Sequence, residues 1–259
     1  MIAALILDLN ADPILLASQV LGRPIAVYPL LAAKSCVSVK KLFVVSANAE
    51  VRAIAAQHQA IVLPTPPDLE KAPVGAPPGP LETKILATSL KAIEDELATH
   101  AQKLDLLALF SFASPAVSTE ECRAAIEALE GRPGFDSAAH IRPAGRFHPA
   151  NALVMRGEQL EKLWTPDAPS QALTEAYLPD WSLFVLRPEG VRAADPAKPL
   201  SWLGRHVFPA GKEWAPNPLV GRDQIAAFEA WFKAHGYPDL SPKMELMPKP
   251  LPQPSPSRK

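Results

Sequence analysis

Three short, almost purely apolar runs constrain this chain more than any other feature. They are IAALILDL (2–9), LFVVS (42–46) and LDLLALFS (104–111). Each has the length of a strand and no alternation of wet and dry residues. A strand apolar on both sides must be covered on both sides, which a parallel sheet flanked by helices achieves. Between the runs the apolar spacing turns helical. Ile25, Val27, Leu30 and Leu31 follow Pro24, with Pro29 limiting where the first turn lies; Val51, Ile54, Ala55 and His58 follow Asn48, a natural N-cap; Ile85, Leu86, Leu90, Ile93 and Leu97 recur further on. AIVLP (60–64) is a further short strand. Ser118-Thr119-Glu120-Glu121 forms a capping box that opens a helix carrying Cys122, Ala125, Ile126 and Leu129, stopped by Gly131 and Pro133. DSAAHIR (136–142), NALVMRG (151–157) and WSLFVLR (181–187) read as strands. QIAAFEAWFKAHG reads as a last helix with Ile225, Phe228 and Phe232 inward, ending at Gly236. This order predicts a three-layer α/β/α fold on a mostly parallel mixed sheet.

The chain has 30 Pro and only 12 Gly in 259 residues, and the prolines cluster. Seven lie between Pro64 and Pro80 and six between Pro242 and Pro256. Proline fixes φ and removes a donor, so both stretches are expected to lie outside helix and central strand. The first is an internal loop, of a length often tied to function. The second is a tail from about residue 241, a solvated extension or a polyproline ligand. The expected organisation is one α/β domain over residues 1–240 and a Pro-rich, disordered tail over 241–259. A formal net charge of −1 gives no general pull towards nucleic acid or anionic membrane, so neither is expected as a partner. No apolar run reaches the roughly 18–20 residues of a bilayer span. The start reads as a buried strand and not as a signal peptide. Two cysteines, Cys36 and Cys122, make no disulfide framework and point to a reducing, cytoplasmic setting. Neither has an activating partner evident in sequence.

Open α/β sheets bind ligands beyond the carboxyl ends of their strands. Four stretches fall there: Asp8–Asp12, Ser46–Asn48, Ser111–Pro115 and Arg142–His148. Asp8, Asn10 and Asp12 could hold a metal through oxygen, although such residues more often build a turn and an N-cap. Arg142, Arg146 and His148 could bind a carboxylate or phosphate or form a solvated loop. Arg205 and His206, near Trp202, are a weaker anion candidate. His140, inside an apolar strand, is expected to be a satisfied core histidine. There is no zinc spacing, P-loop, G-x-S-x-G elbow or G-x-G-x-x-G.

The order of segments resembles the acylneuraminate cytidylyltransferase (CMP-sialic acid synthetase) family over roughly residues 1–235. The matching pieces are LGRPIAVYPLLAA (21–33), KLFVVSANAEVRAIAAQHQA (41–60), LDLLALFSFASPAVSTEECRAAIEAL (104–129) and FDSAAHIRPAGRFHPANALVM (135–155). The resemblance implies the nucleotide-diphospho-sugar transferase, or GT-A-like, fold. It implies transfer of CMP from CTP to an acidic sugar with Mg²⁺. It puts Asp8, Asn10, Arg23, Asn48, Ser111 and Ser114 at the nucleotide and Arg142, Arg146 and His148 at the sugar. It further implies a homodimer, with an interface within residues 143–180.

The departures are specific. The family's first loop, of the form R-G-G-S-K-G, cradles a triphosphate; here DLNADPILLASQV (8–20) has no Gly, Lys or Arg. The family's Thr-Asp after the second strand is Ala47-Asn48. The Gln and Arg of its QPTSPLR motif fall on Ser111 and Val117. Its metal-binding Asp-x-Asp has no counterpart in APNPLVGRDQ (215–224), where Asp223 stands alone. Nucleotidyl transfer needs positive charge on the phosphates and a metal held by oxygens. The alternative expectation is therefore a pseudoenzyme, a binding or scaffolding subunit in glycan or surface-sugar synthesis.

Overall fold

The computed structural model describes residues 1–8, 13–67, 69, 80–156, 159–162, 175–211, 216 and 221–241, save the side chains of Pro13, Pro80, Arg146, Leu153 and Arg156. The apolar runs become β1 (Ile2–Leu7), β4 (Lys41–Val45) and β6 (Leu106–Ser111), the inner strands of a seven-stranded sheet. Its order is β11 (Val207–Pro209), β7 (Ser137–Pro143), β10 (Tyr177–Leu186), β6, β1, β4, β5 (Ile61–Val62). β1 lies parallel to β4 and β6, β4 to β5, and β11 to β7; β10 runs antiparallel to both of its neighbours. The expected mixed, mostly parallel sheet is thus present.

Every residue of β1 is buried, and its side chains divide between two cores. Ala4 and Ile6 join one with α2 (Val27–Ser35), α3 (Ala49–Gln57), α5 (Thr119–Glu130) and the last helix, α7 (Ile225–Ala234). Ala3, Leu5 and Leu7 join the other with α4 (Pro80–Ala98) and α6 (Pro188–Arg192). That division is the three-layer architecture read directly from one strand's alternation.

The helix boundaries follow their caps. Asn48 Oδ1 accepts from Glu50 N and Val51 N at the start of α3. Ser118 Oγ accepts from Glu121 N while Glu121 returns a carboxylate oxygen to Ser118 N, the reciprocal capping box opening α5. Phe228 and Phe232 of α7 are buried and Ile225 is partly so, and Gly236 beyond it has a positive φ.

Some local expectations fail for identifiable reasons. Between β1 and α2 the chain inserts the short helix α1 (Pro13–Leu16) and a hairpin of β2 (Gln19–Val20) and β3 (Arg23–Pro24), whose tight turn at Leu21 and Gly22 carries no Asn-Gly signal. Proline is not confined to loops. Pro80 opens α4, where a missing N–H costs nothing, and Pro179 sits inside β10 beside a bulge. The strand expected over 151–157 is β8 (Leu153–Arg156), which pairs with β9 (Gln159–Lys162) as a separate hairpin outside the main sheet. The proline-rich stretches fall largely on residues 68, 70–79 and 242–259, outside the described residues.

Candidate functional site

The parallel strands end together, and the end of β1 is built around one buried carboxyl. Asp8 continues the β1–β4 ladder through its N–H to Val45 O and is 8% exposed. Its Oδ2 accepts from Ser46 Oγ at 2.6 Å, and that hydroxyl in turn accepts from Asn48 N at 3.0 Å. Arg52 closes the turn by donating to Ser46 O and Ala47 O. Burial holds the Asp8 carboxyl above the usual range, with the Ser46 bond working against it. Asp8, Ser46 and Asn48 thus form one network that fixes the β4–α3 turn, and the Asn48 side chain is spent on its helix.

On the neighbouring strand, Ser111 Oγ accepts from Ala113 N in a local turn, and Ser114 Oγ is buried with no hydrogen-bond partner. Arg23 lies on β3, and its charge acts on Tyr28, Tyr237 and His58. Asn10 and Asp12 lie outside the described residues. Among the described residues no three His, Cys, Asp or Glu side chains converge as a metal site. Asp223 turns back onto its own loop, its Oδ1 only 2.5 Å from where a Cβ on Gly221 would stand.

The third cluster was not legible in sequence. Register pairs Pro179 with Ile141 and Phe184 with Ala139, so Asp180, Trp181, Ser182 and Leu183 all span the single position of His140. Inside this bulge Ser182 Oγ donates to Asp180 Oδ1 at 2.7 Å, Ser182 N donates to the same oxygen, and His140 Nδ1 meets Ser182 Oγ at 2.9 Å. His140 is 3% exposed, and its Nε2 is buried without a partner. The core-histidine expectation is thus half met: one ring nitrogen is satisfied and the other is not. Trp181 takes φ 67, a left-handed conformation that costs a bulky residue of order 1–2 kcal/mol. Gly211 lies over the ring, where an added Cβ would stand 3.1 Å from Cδ2 and 3.2 Å from Nε2. Arg142 lies two residues on, on the same face of β7 and at its carboxyl end. His148 is spent in part on its own turn, its Nδ1 accepting from Ala150 N. The side chain of Arg146 is outside the described set.

Two other candidates change meaning. The backbone N–H groups of Arg205 and His206 do bind an anion, but it is the chain's own Asp136, whose carboxylate they hold below the usual range. Cys36 and Cys122, which show no activating partner in sequence, are both buried and act on each other; that interaction and burial raise the Cys122 thiol.

A mostly parallel sheet with one reversed strand, helices on both faces and polar clusters along the carboxyl edge make up a three-layer α/β fold. The solved structures that resemble the chain share that fold. CMP:2-keto-3-deoxy-manno-octonic acid synthetase complexed with CTP matches with TM-score 0.58 and 10% identity, over 90% of this chain and 99% of that one. 4-Diphosphocytidyl-2C-methyl-D-erythritol synthase from Anaerococcus prevotii matches with TM-score 0.55 and 13% identity, over 90% and 98%. 2-C-Methyl-D-erythritol 4-phosphate cytidylyltransferase from Thermus thermophilus matches with TM-score 0.53 and 16% identity, over 89% and 98%. No protein-family model matches the chain, and no curated protein sequence does. The chain has the cytidylyltransferase-like fold along nearly its whole length.

Proposed function

We propose that the protein binds CTP at the carboxyl edge of the sheet and transfers CMP to an acidic sugar. The observation that carries this reading is the fold match over 90% of the chain to a synthetase holding CTP. Asp8, Asn10, Arg23, Asn48, Ser111 and Ser114 would face the nucleotide, and Arg142, Arg146 and His148 the sugar. In such a transfer the sugar hydroxyl attacks the α-phosphorus and pyrophosphate leaves; the protein's part is to align the two and to stabilise charge.

A second reading rests on its own observations. The first loop has no Gly, Lys or Arg, Asp8 is engaged by Ser46, and no three His, Cys, Asp or Glu side chains converge among the described residues. These features favour a subunit that keeps nucleotide binding without turnover. Pyrophosphate release and thermal stabilisation, measured with CTP, Mg²⁺ and a panel of sugar acids, separate the two. Turnover supports transfer, stabilisation without turnover supports the binding subunit, and neither effect sinks both.

We further propose a homodimer through the β8–β9 hairpin. Met155 and Leu160 are paired across it and each is 61% exposed, and Phe147 and Tyr177, also within 143–180, are exposed as well. Lysine at both Met155 and Leu160 should convert a dimer to a monomer in sedimentation; an unchanged sedimentation coefficient would count against this interface. Both cysteines are free, which suits a reducing cytoplasm, and no described helix is long and apolar enough to cross a membrane.

A further inference from the structure

The chain has only two cysteines, and the fold brings them together although β4, α3, β5, α4 and β6 lie between them in sequence. Cys36 is the C-terminal cap of α2, and Cys122 lies near the start of α5. α2 leads into β4 and α5 follows β6, and both strands run parallel to β1. The two helices pack on the same face of the sheet and so run side by side in the same direction. Thr119 Oγ1 at the start of α5 donates to Ala32 O of α2 at 3.4 Å. Cys122 stands three residues beyond Thr119 and Cys36 four beyond Ala32, one turn further along each helix. That register sets the two thiols opposite each other, and they act on each other accordingly.

Their surroundings are unequal. Cys122 is 0% exposed in the apolar core, and its neighbour and burial both hold its proton in place. At Cys36 the Cys122 thiol, the backbone N–H groups of Ser38 and Val39 and the charge of Arg123 outweigh burial and hold the thiol below its usual range. Cys36 thus has thiolate character at neutral pH while Cys122 stays a thiol. Cys36 is also one layer from solvent. It opens the turn into β4, in which Val37 is 76% exposed and Lys40 is exposed. Lys34, Val39 and Lys40, on either side of Cys36, line an open surface cavity of about 240 Å³. Exposed turns open locally more readily than core strands do. A small oxidant needs only that opening, and a bond between two facing sulfurs needs no cavity of its own.

We propose that Cys36 and Cys122 are a peroxide-reactive pair that closes reversibly into a disulfide joining α2 to α5. The Cys36 thiolate attacks one oxygen of hydrogen peroxide. The O–O bond breaks, hydroxide leaves with its electron pair, and Cys36 becomes a sulfenic acid. The Cys122 sulfur then attacks the Cys36 sulfur. The S–S bond forms as the S–O bond breaks, and the Cys122 proton leaves with that oxygen as water. The pair loses two electrons and the peroxide gains them. A dithiol reverses the step by exchange. Transient disulfides of this kind serve redox sensing in reducing compartments. Nothing in the step depends on CTP or on transfer.

Peroxide treatment of the reduced full chain at neutral pH tests this. The intact mass should fall by two hydrogens, the thiols counted after unfolding should fall from two to none, and a peptide map should join Cys36 to Cys122. Dithiothreitol should restore both thiols. Thiol loss should be at least about fivefold faster in the folded chain than in concentrated urea, where the sulfurs are apart and Cys36 has ordinary acidity. Cys122→Ala should stop at a sulfenic acid on Cys36, captured by dimedone, and Cys36→Ala should leave Cys122 unreacted. Should either variant not fold, the map and the rates of the unaltered chain decide. Two thiols that persist in the folded chain, oxidation no faster than in urea, cross-linking between chains, or a gain of oxygen without an S–S bond overturns the proposal.

Discussion

A carboxyl buried at the start of a helix shows how burial and local electrostatics compete at a single residue. Glu82 stands in the first turn of α4, where the helix dipole favours negative charge. It is nonetheless almost wholly buried, and desolvation pushes its pKa up from 4.5 to about 7. With a folded value above the unfolded one, its contribution is fully present below pH 4.5 and is lost as pH rises through about 7. Glu82→Gln, which keeps the shape without the charge, should therefore raise stability by about 1–3 kcal/mol at pH 8 and change it little at pH 5. Urea titrations of the two proteins at both pH values check this; equal differences at pH 5 and pH 8 would refute it. Gly204 gives a steric counterpart. It has φ +78, and an added Cβ would collide with the Cβ of Asp136. Gly204→Ala should thus unseat the Asp136 carboxylate from Arg205 N and His206 N and cost about 1–3 kcal/mol. A melting temperature equal to wild type would show that this loop yields freely.

At the scale of elements, what was legible in sequence is what local chemistry decides. Ser118 and Glu121 satisfy each other across four residues, so the start of α5 could be read without any tertiary contact. Ser118→Ala should cost about 1 kcal/mol, the usual loss of such a cap, visible as a lower urea midpoint with unchanged slope. The apolar runs were equally plain, because a strand buried on both faces has no polar alternation to hide. The β2–β3 hairpin was not, since its turn uses Leu21 with φ 48 before Gly22, a residue without turn chemistry. The same limit applies to the site. Asp8, Ser46 and Asn48 could be placed at one strand end, because each follows an apolar run. The bulge around His140 could not. It depends on pairing β10 with a strand almost forty residues earlier, and on a tryptophan forced into the left-handed region. The one trace in sequence was Pro179, a residue that central strands exclude unless the ladder is broken beside it.

The whole molecule closes where its last helix returns to its beginning. Phe232 of α7 stacks on Tyr28 of α2 with centroids 3.6 Å apart, Tyr237 meets both rings edge-on, and Tyr28 Oη donates to Val20 O. Beyond them Leu240 N donates to Leu21 O, and Gly22 lies so close to Leu240 that a Cβ would collide with its carbonyl carbon. The far end of the chain thus braces the hairpin that follows the first loop, the very loop in which the resembled family keeps its glycines. Among the described residues a backbone N–H at Leu240 bonds the N-terminal hairpin and Ser241 N lies against Gly22, just before the proline cluster that starts at Pro242. Removing residues 242–259 should therefore leave the melting temperature unchanged within error. Ending the chain before Tyr237 should lower it and weaken any CTP-induced stabilisation as well, because the hairpin behind the first loop loses its brace. Phe232→Ala should act in the same direction, costing about 3–5 kcal/mol through the cavity it leaves. Thermal melts of the three variants with and without CTP separate the outcomes. If the chain ended before Tyr237 loses stability yet keeps its full response to CTP, the nucleotide does not depend on the hairpin, and the first loop plays no part in binding it.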